Sequence, residues 1–254
     1  RGRAITHSTF AVDTVKRSVG PDCDVASIPA PVWDRFAALG QRLGMKCDWR
    51  SVDFDLHGLL IDTDRRDLYE YSPQRIPLPR NGPWPHEVKD GPSAFGIPVG
   101  GVVYTSIFNP DDGRKNWFDL LCGFVWALRD RDDATLVIKT THYDPRPVIG
   151  IMIENLYKRT PFECRVLIVN AYLDDDSYER LAGITTYVVN TAHGEGQCLP
   201  LMEFMSCGKP AVASRNTSMV DYLDEGNAGI GKATFEPRIW PDDPRLAFRR
   251  LRHR

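Results

Sequence analysis

The sequence predicts an α/β fold built on a doubly wound parallel sheet, and three observations carry that expectation. From Val102 onward, short apolar segments alternate with amphipathic ones, the pattern of repeated strand–helix units. The apolar run Tyr187–Asn190 leads into a glycine-bearing loop, Thr191–Cys198, which opens into a helical pattern with Pro200 in its first turn. A second apolar strand, Ala211–Ala213, follows that helix directly.

Taken in order, Ala4–Ser8 reads as a short strand and Thr9–Arg17 as a capped amphipathic helix. Asp24–Pro29 reads as another short strand, closed by Pro29-Ala30-Pro31. Residues 35–98 carry little pattern. Val52–Leu56 alternates like a half-buried strand that Leu59–Ile61 prolongs. The prolines at 73, 77, 79, 83, 85, 92 and 98 then argue for an extended connection rather than regular elements. Beyond it come a strand at Val102–Ile107, a helix at Trp117–Arg129 and a strand at Thr135–Lys139. A helix at Ile151–Tyr157, a strand at Arg165–Asn170 and a short helix at Ser177–Leu181 complete the run to Tyr187. The basic end, Arg249–Arg254, reads as part of an amphipathic helix. Ligands in such sheets bind beyond the C-terminal strand ends, where the Gly194-Glu195-Gly196 loop leaves its strand.

Composition bounds the function. A chain of 254 residues permits one large or two small domains and a sizeable core. Lys+Arg of 32 against Asp+Glu of 34 gives a net charge of -2, without the basic footprint that nucleic-acid binding needs. Cys23, Cys47, Cys122, Cys164, Cys198 and Cys207 are scattered with no C-x-x-C pair, which disfavours structural zinc and fits reduced thiols in a cytosolic protein. No apolar run approaches the roughly 20 residues of a membrane span, so no transmembrane segment is expected. No signal peptide is visible, and an opening on Arg1 rather than Met suggests a fragment.

Glu195 and Glu203 flank the stretch Gly-Gln-Cys-Leu-Pro-Leu-Met. One carboxylate sits in a loop over a strand end, the other one turn into the next helix. Gly208 fits that helix's C-terminus and Pro210 keeps it from resuming. Free backbone N–H groups at the helix N-terminus suit a phosphate. Glutamates at this spacing occur by chance in many chains, so the spacing alone decides nothing. Glu203 could accept from two ribose hydroxyls, or simply interact with the helix dipole. Glu195 could bond hydroxyls attached to a bound diphosphate, or be a solvated loop carboxylate. Asp174-Asp175-Asp176 precede Ser177 and read as a helix cap rather than a metal site.

The whole string GEGQCLPLMEFMSCGKPAVAS (194–214) resembles the E-x7-E segment of retaining glycosyltransferases with the GT-B fold, family 4 in particular. The resemblance continues through Arg215–Leu223 and extends loosely back to Val102. It implies a Rossmann-like C-terminal lobe that binds a nucleotide-sugar donor. The expected division is a remnant of the N-terminal lobe at 1–34, a Pro-rich insertion or linker at 35–98, and the donor lobe at 99–254. The implied reaction moves a sugar from a nucleotide diphosphate to a hydroxyl acceptor with retention. That acceptor would be a glycan, lipid-linked or small molecule, held through the missing N-terminal lobe.

By the same resemblance, Glu195 faces the transferred sugar as an electrostatic and positioning group, and Glu203 holds the ribose. Lys115 matches the family lysine that grips the diphosphate. The family arginine falls near Asn109 instead, a departure for which Arg114 is the expected substitute. Gly196, Gln197, Leu199 and Leu201 line the donor site. His193 donates to a sugar hydroxyl or orders the loop, with ordering favoured. Asn170 and Tyr172 lie near the base, although Tyr172 also reads as a lid on the core. No cofactor and no obligatory metal are expected, because this fold does not need the Asp-x-Asp of the other glycosyltransferase fold. The implied setting is cytoplasmic, with room for peripheral attachment to a membrane through regions outside this chain. Two rivals share the architecture: a nucleotide-sugar epimerase and a non-catalytic nucleotide-sugar-binding module. A dinucleotide-binding protein fits less well, since no G-x-G-x-x-G follows the first strand.

Overall fold

In the computed structural model, residues 3–32, 34–43, 51–55, 57–63, 94–141 and 146–231 are described. The centre is a seven-stranded sheet. Six parallel strands run through it: β6 (Val102–Phe108), β7 (Ala134–Thr140), β8 (Arg165–Tyr172), β9 (Tyr187–Asn190), β10 (Ala211–Ser214) and β11 (Ala228–Gly231). A seventh strand, β4 (His57–Asp62), pairs antiparallel with the outer edge of β8. The spatial order is β11-β10-β9-β6-β7-β8-β4. The chain therefore builds outward from β6 to β8, then returns to the other side of β6 and builds outward again. Strand order reverses between β6 and β9, and in a doubly wound sheet the crevice beyond that reversal receives the ligand.

Both faces of the sheet are covered, so its strands alternate between two cores rather than between core and water. Leu136 and Ile138 of β7 and Val166 and Ile168 of β8 face α3 (Trp117–Ala127) and α4 (Arg146–Tyr157). Val137, Leu167 and Val169 belong to the opposite core, with α5 (Asp175–Ile184) and α6 (Leu199–Ser206). This explains why β7 reads as a continuous apolar run. Asp174 caps α5, its carboxylate accepting from the Ser177 N–H at 2.7 Å. Gly208, at φ 80, ends α6 in a left-handed residue. There the Lys209 N–H reaches back to the Phe204 carbonyl at 3.0 Å, and the Gly208 N–H to that of Met205 at 2.9 Å, as the Schellman turn requires.

The N-terminal segment is a β1–α1–β2 unit, with Ala4–Thr6 and Val25–Ser27 parallel and Thr9–Val19 between them. Ser8 caps α1, its hydroxyl accepting from the Ala11 N–H at 3.2 Å. Asp221 approaches the same helix end, where the Thr9 N–H donates to it at 2.8 Å.

The span from 35 to 98 differs most from the sequence expectation. Among its described residues are a helix, α2 (Asp34–Leu43), and three strands: β3 (Ser51–Asp55), β4, and β5 (Ala94–Pro98); the extended connection expected over the prolines at 73–92 lies outside the described residues. Val52–Leu56 and Leu59–Ile61 are not one prolonged strand. β3 pairs antiparallel with β5 in a separate two-stranded sheet, whereas β4 closes the edge of the main one. The Arg165 guanidinium ties β4 down, its Nε donating to Asp62 at 2.9 Å. Only three large apolar residues, Phe36, Leu39 and Leu43, mark α2, and Gly40 interrupts it, so its periodicity was too short to read. β11 was also missed, because Ala-Gly-Ile-Gly carries almost no strand signal. The basic end at 249–254 lies outside the described residues. Among the described residues, no helix is long and apolar enough to cross a membrane.

α2 is not peripheral. Phe36 and Leu39 enter the core formed by α5 and α6, and a Cβ on Gly40 would lie 2.8–2.9 Å from the backbone of Cys207. Gly40→Ala should therefore lower stability by about 1–3 kcal/mol, the overpacking penalty outweighing the better helix propensity. Urea unfolding measures this, and a stabilised variant would show that α2 does not dock on the end of α6.

Candidate functional site

Three loops meet over the C-terminal ends of β6, β9 and β10. Asp112 opens a short turn after β6, its carboxylate accepting from the Arg114 N–H at 3.1 Å, and Asn116 closes the turn in a left-handed conformation at φ 53. The loop after β9 runs alongside. The Arg114 carbonyl accepts from the His193 N–H at 2.8 Å, and the Asn116 amide donates to the Thr191 carbonyl at 3.1 Å. The loop after β10 adds Asn216, which donates to the Ala192 carbonyl at 2.9 Å, and Thr217, whose hydroxyl accepts from the Glu195 N–H at 2.8 Å. Thr217 sits at φ 44, unusual for a β-branched residue.

These contacts bury Glu195 to 7 % exposure. A carboxylate taken so far from water must be paired. Lys115 Nζ donates to its two oxygens at 2.6 and 2.9 Å, and Arg114 to Oε2 at 3.1 Å. The Asn190 amide adds a longer bond at 3.3 Å. Arg114 also donates to the Gly194 carbonyl at 2.7 Å and, from its other side, to Asp112 at 2.7 and 3.1 Å. Two carboxylates and two cations thus form one chain of charges at the strand-order reversal. Glu195 is brought into contact with Lys115 and Arg114, which lie 80 and 81 positions before it in sequence.

Glu203 lies apart from this cluster, on α6, and its Oε2 accepts from the Tyr178 hydroxyl at 2.6 Å. Tyr178 stands between Phe36 and Phe204, edge-on to both. Burial, and next the bond to Glu203, pushes its phenol well above the usual tyrosine range, so it donates at any ordinary pH. Cys198 precedes α6 at φ 61. Its carbonyl accepts from the Leu201 and Met202 N–H groups at 3.0 and 3.2 Å, and Pro200 has no N–H. The backbone donors that can turn to a phosphate are accordingly those before Pro200, fewer than the sequence suggested.

The remaining sequence candidates divide. Gly196 is exposed at the loop tip, and a Cβ there would meet nothing. Leu199 is exposed at the start of α6, whereas Leu201 is 1 % exposed inside the core, so only its backbone can face a ligand. The Gln197 side chain turns to the N-terminal segment, accepting from the Ala30 N–H at 2.8 Å and donating to the His7 carbonyl. His193 is exposed, and its N–H joins the two loops. Asn170 is buried at the end of β8, accepting from the Thr140 hydroxyl at 2.8 Å. Tyr172 is 74 % exposed, which excludes a lid on the core. Among the described residues, no group of His, Cys, Asp or Glu converges to hold a metal ion.

No protein-family model matches the chain, and no curated protein matches it. Solved structures do resemble it. The C-terminal domain of a glycosyl transferase group 1 family protein (LpcC) from Francisella tularensis is 15% identical, with a TM-score of 0.45, over 53% of this chain and 69% of that one. WaaG, a glycosyltransferase involved in lipopolysaccharide biosynthesis, is 13% identical with a TM-score of 0.49, over 86% of this chain and 45% of its own. Sucrose-phosphate synthase from Thermosynechococcus elongatus is 16% identical with a TM-score of 0.47, over 83% and 40%. The chain thus spans less than half the length of the last two.

Sequence reasoning missed Asn190, Asn116, Thr217 and Tyr178, polar residues whose roles exist only through contacts between distant loops. Lys139 was also missed, and here a signal was present: a lone lysine in the run Leu136-Val137-Ile138-Lys139-Thr140. It is 8 % exposed, and burial lowers its ammonium to about 8 from 10.5. The folded pKa lies below the unfolded one, so the folded chain releases this proton first. Between about pH 8 and 10.5 the unfolded chain binds more protons, and stability rises with pH. Relative to Lys139→Met, the wild type should therefore gain unfolding free energy from pH 7.5 to 10 in urea titrations. Parallel profiles for the two proteins would mean that the ammonium is solvated.

Proposed function

We propose that this chain is the donor-binding part of a retaining glycosyltransferase of GT-B architecture, family 4-like, with residues 1–34 a remnant of the acceptor lobe. The reading rests on one observation above the others: Glu195 is paired with Lys115 and Arg114 at the strand-order reversal, inside the segment that resembles the E-x7-E motif. A helix N-terminus, two cations and two carboxylates near one edge of the sheet are the groups that the phosphates and hydroxyls of a nucleoside diphosphate sugar call for.

In this reading Glu203 holds the ribose, using the oxygen that Tyr178 does not engage. Lys115 has three N–H donors and gives two to Glu195, which leaves a third for a phosphate oxygen. The bond from the anomeric carbon to the phosphate breaks with its electron pair going to the diphosphate, whose growing charge Lys115 and Arg114 neutralise. The acceptor hydroxyl attacks from the same face, and its proton passes to the departing phosphate. Glu195, fixed by its cations, stabilises the positive charge on the anomeric carbon as it forms, an effect larger in the transition state than in the ground state. The two cations supply the charge a metal would otherwise provide, so no obligatory metal is proposed. The five described cysteines are free thiols, which fits a reducing, cytoplasmic setting.

A thermal-shift panel of UDP, GDP, ADP and dTDP with their sugars tests the donor class, and no response to any of them would overturn the reading. In the full-length enzyme, Glu195→Gln should lower turnover about a hundredfold or more, the scale of losing one preorganised electrostatic group. Nucleoside diphosphate affinity should not fall, because the exchange leaves Lys115 and Arg114 with more charge to offer. A collapse of affinity with normal turnover at saturating donor would put Glu195 in the nucleotide pocket instead. Lys115→Ala should weaken nucleoside diphosphate binding by about tenfold or more, as loss of a charge-assisted bond does, and leave nucleoside binding nearly unchanged. Equal losses for both ligands in calorimetry would contradict the phosphate assignment.

A further inference from the structure

Lys139 is the penultimate residue of β7 and follows Val137 on the face covered by α2, α5 and α6. Its Nζ donates to the Thr141 hydroxyl, and Thr141 Oγ1 lies 3.3 Å from the Ala171 carbonyl. Thr141 stands beyond the last residue of β7, so the ammonium reaches toward the C-terminal rim of the sheet and away from the core. Among the described residues it has no carboxylate partner, and desolvation alone drives its titration down. Nothing of opposite charge among the described residues compensates this buried cation, and on that account an apolar side chain of similar size would replace it at a gain in stability. Lys209, another buried lysine, differs in donating to the Gly183 carbonyl inside the core.

β7 adjoins β6, one of the two strands that flank the strand-order reversal. The face Lys139 occupies is also the one from which α6 presents Glu203 and α5 presents Tyr178. Lys115 and Arg114 are engaged with Glu195, after β6, which the proposed reading makes the sugar end of the site. A cation that burial has stripped of solvent is completed best by an anion, and a nucleotide lying from Glu195 toward Glu203 carries one next to its ribose.

We propose that Lys139 is a further donor-binding residue, whose ammonium receives an oxygen of the phosphate attached to the nucleoside. The proposal rests on the nucleotide-sugar reading of Glu203 and Lys115 and adds a second phosphate contact on the ribose side of the site. Lys139 thereby separates the two phosphates: Lys115 and Arg114 serve the one that leaves with the sugar bond, and Lys139 serves the one that stays with the nucleoside. Its energetic deficit in the fold becomes affinity when the anion arrives.

Calorimetry on this chain with the nucleoside, 5′-monophosphate and 5′-diphosphate of uridine, guanosine, adenosine and thymidine tests it. In the series that binds, Lys139→Met should weaken monophosphate and diphosphate binding by the same factor, about tenfold or more, and leave the nucleoside unchanged. Lys115→Ala should instead affect the diphosphate more than the monophosphate. Lys139→Gln, with circular dichroism on each variant, provides a second neutral side chain should the methionine perturb the fold. Unchanged monophosphate affinity in the folded variants would overturn the assignment of Lys139 while leaving the donor site intact. An equal loss for the bare nucleoside would overturn it too, moving Lys139 to the base. A wild-type chain that binds no member of any series would overturn both this inference and the donor-site reading.

Discussion

A buried carboxylate needs partners, and the pairing of Glu195 decides where three loops of this protein go. Lys115 and Arg114 come from the turn after β6, Asn190 from the end of β9 and Thr217 from the turn after β10. Each reaches Glu195 or its backbone, and the loops are stitched further through His193, Asn116 and Asn216. Coulombic attraction in a low-dielectric pocket is strong, but it only offsets desolvation when geometry and additional hydrogen bonds are good. The left-handed residues Asn116 and Thr217 are conformations the chain accepts to obtain that geometry. Strained turns and a paired carboxylate are thus parts of one arrangement.

The second half of the site depends on packing rather than charge. Glu203 is held by Tyr178, Tyr178 by the rings of Phe36 and Phe204, and Phe36 by the docking of α2 on the α5–α6 face. The close approach of Gly40 to Cys207 sets how near α2 can come. A helix outside the α/β alternation therefore supports the orientation of a carboxylate inside it. The N-terminal β1–α1–β2 unit makes a comparable contact, through Gln197 and through Ser8, whose hydroxyl lies 2.8 Å from that of Ser218.

Regular alternation was legible from the residues and special contacts were not. The strands at Val102, Thr135, Arg165 and Tyr187 stood out because both their faces are buried, which turns them into apolar runs. Pro200 and Gly208 marked the ends of α6 because each residue type has a local backbone reason to be there. The reading failed where stability comes from partners far along the chain. α2 has too few apolar positions to announce itself, β4 is a strand only because the edge of β8 accepts it, and β11 has almost no side chains to pack. Lys139 was visible as an anomaly in an apolar run, but a charged residue at a strand end has no meaning until its surroundings are known.

What the sequence determined by itself is the class of fold, the placement of Glu195 in a loop over a strand end and of Glu203 one turn into the next helix, and the nearness of both to that helix's N-terminus. Those follow from periodicity and from backbone preferences that act within a few residues. Only the tertiary structure decided that β6 and β9 become neighbours, because strand order depends on the packing of crossovers. That adjacency puts Lys115 and Arg114 on Glu195, while the packing of helices and of the N-terminal segment gives Tyr178 to Glu203, turns Gln197 toward that segment and withdraws Leu201 into the core. Charge and hydrogen bonding act over a few ångströms of space, and space between distant residues is what a linear sequence does not state.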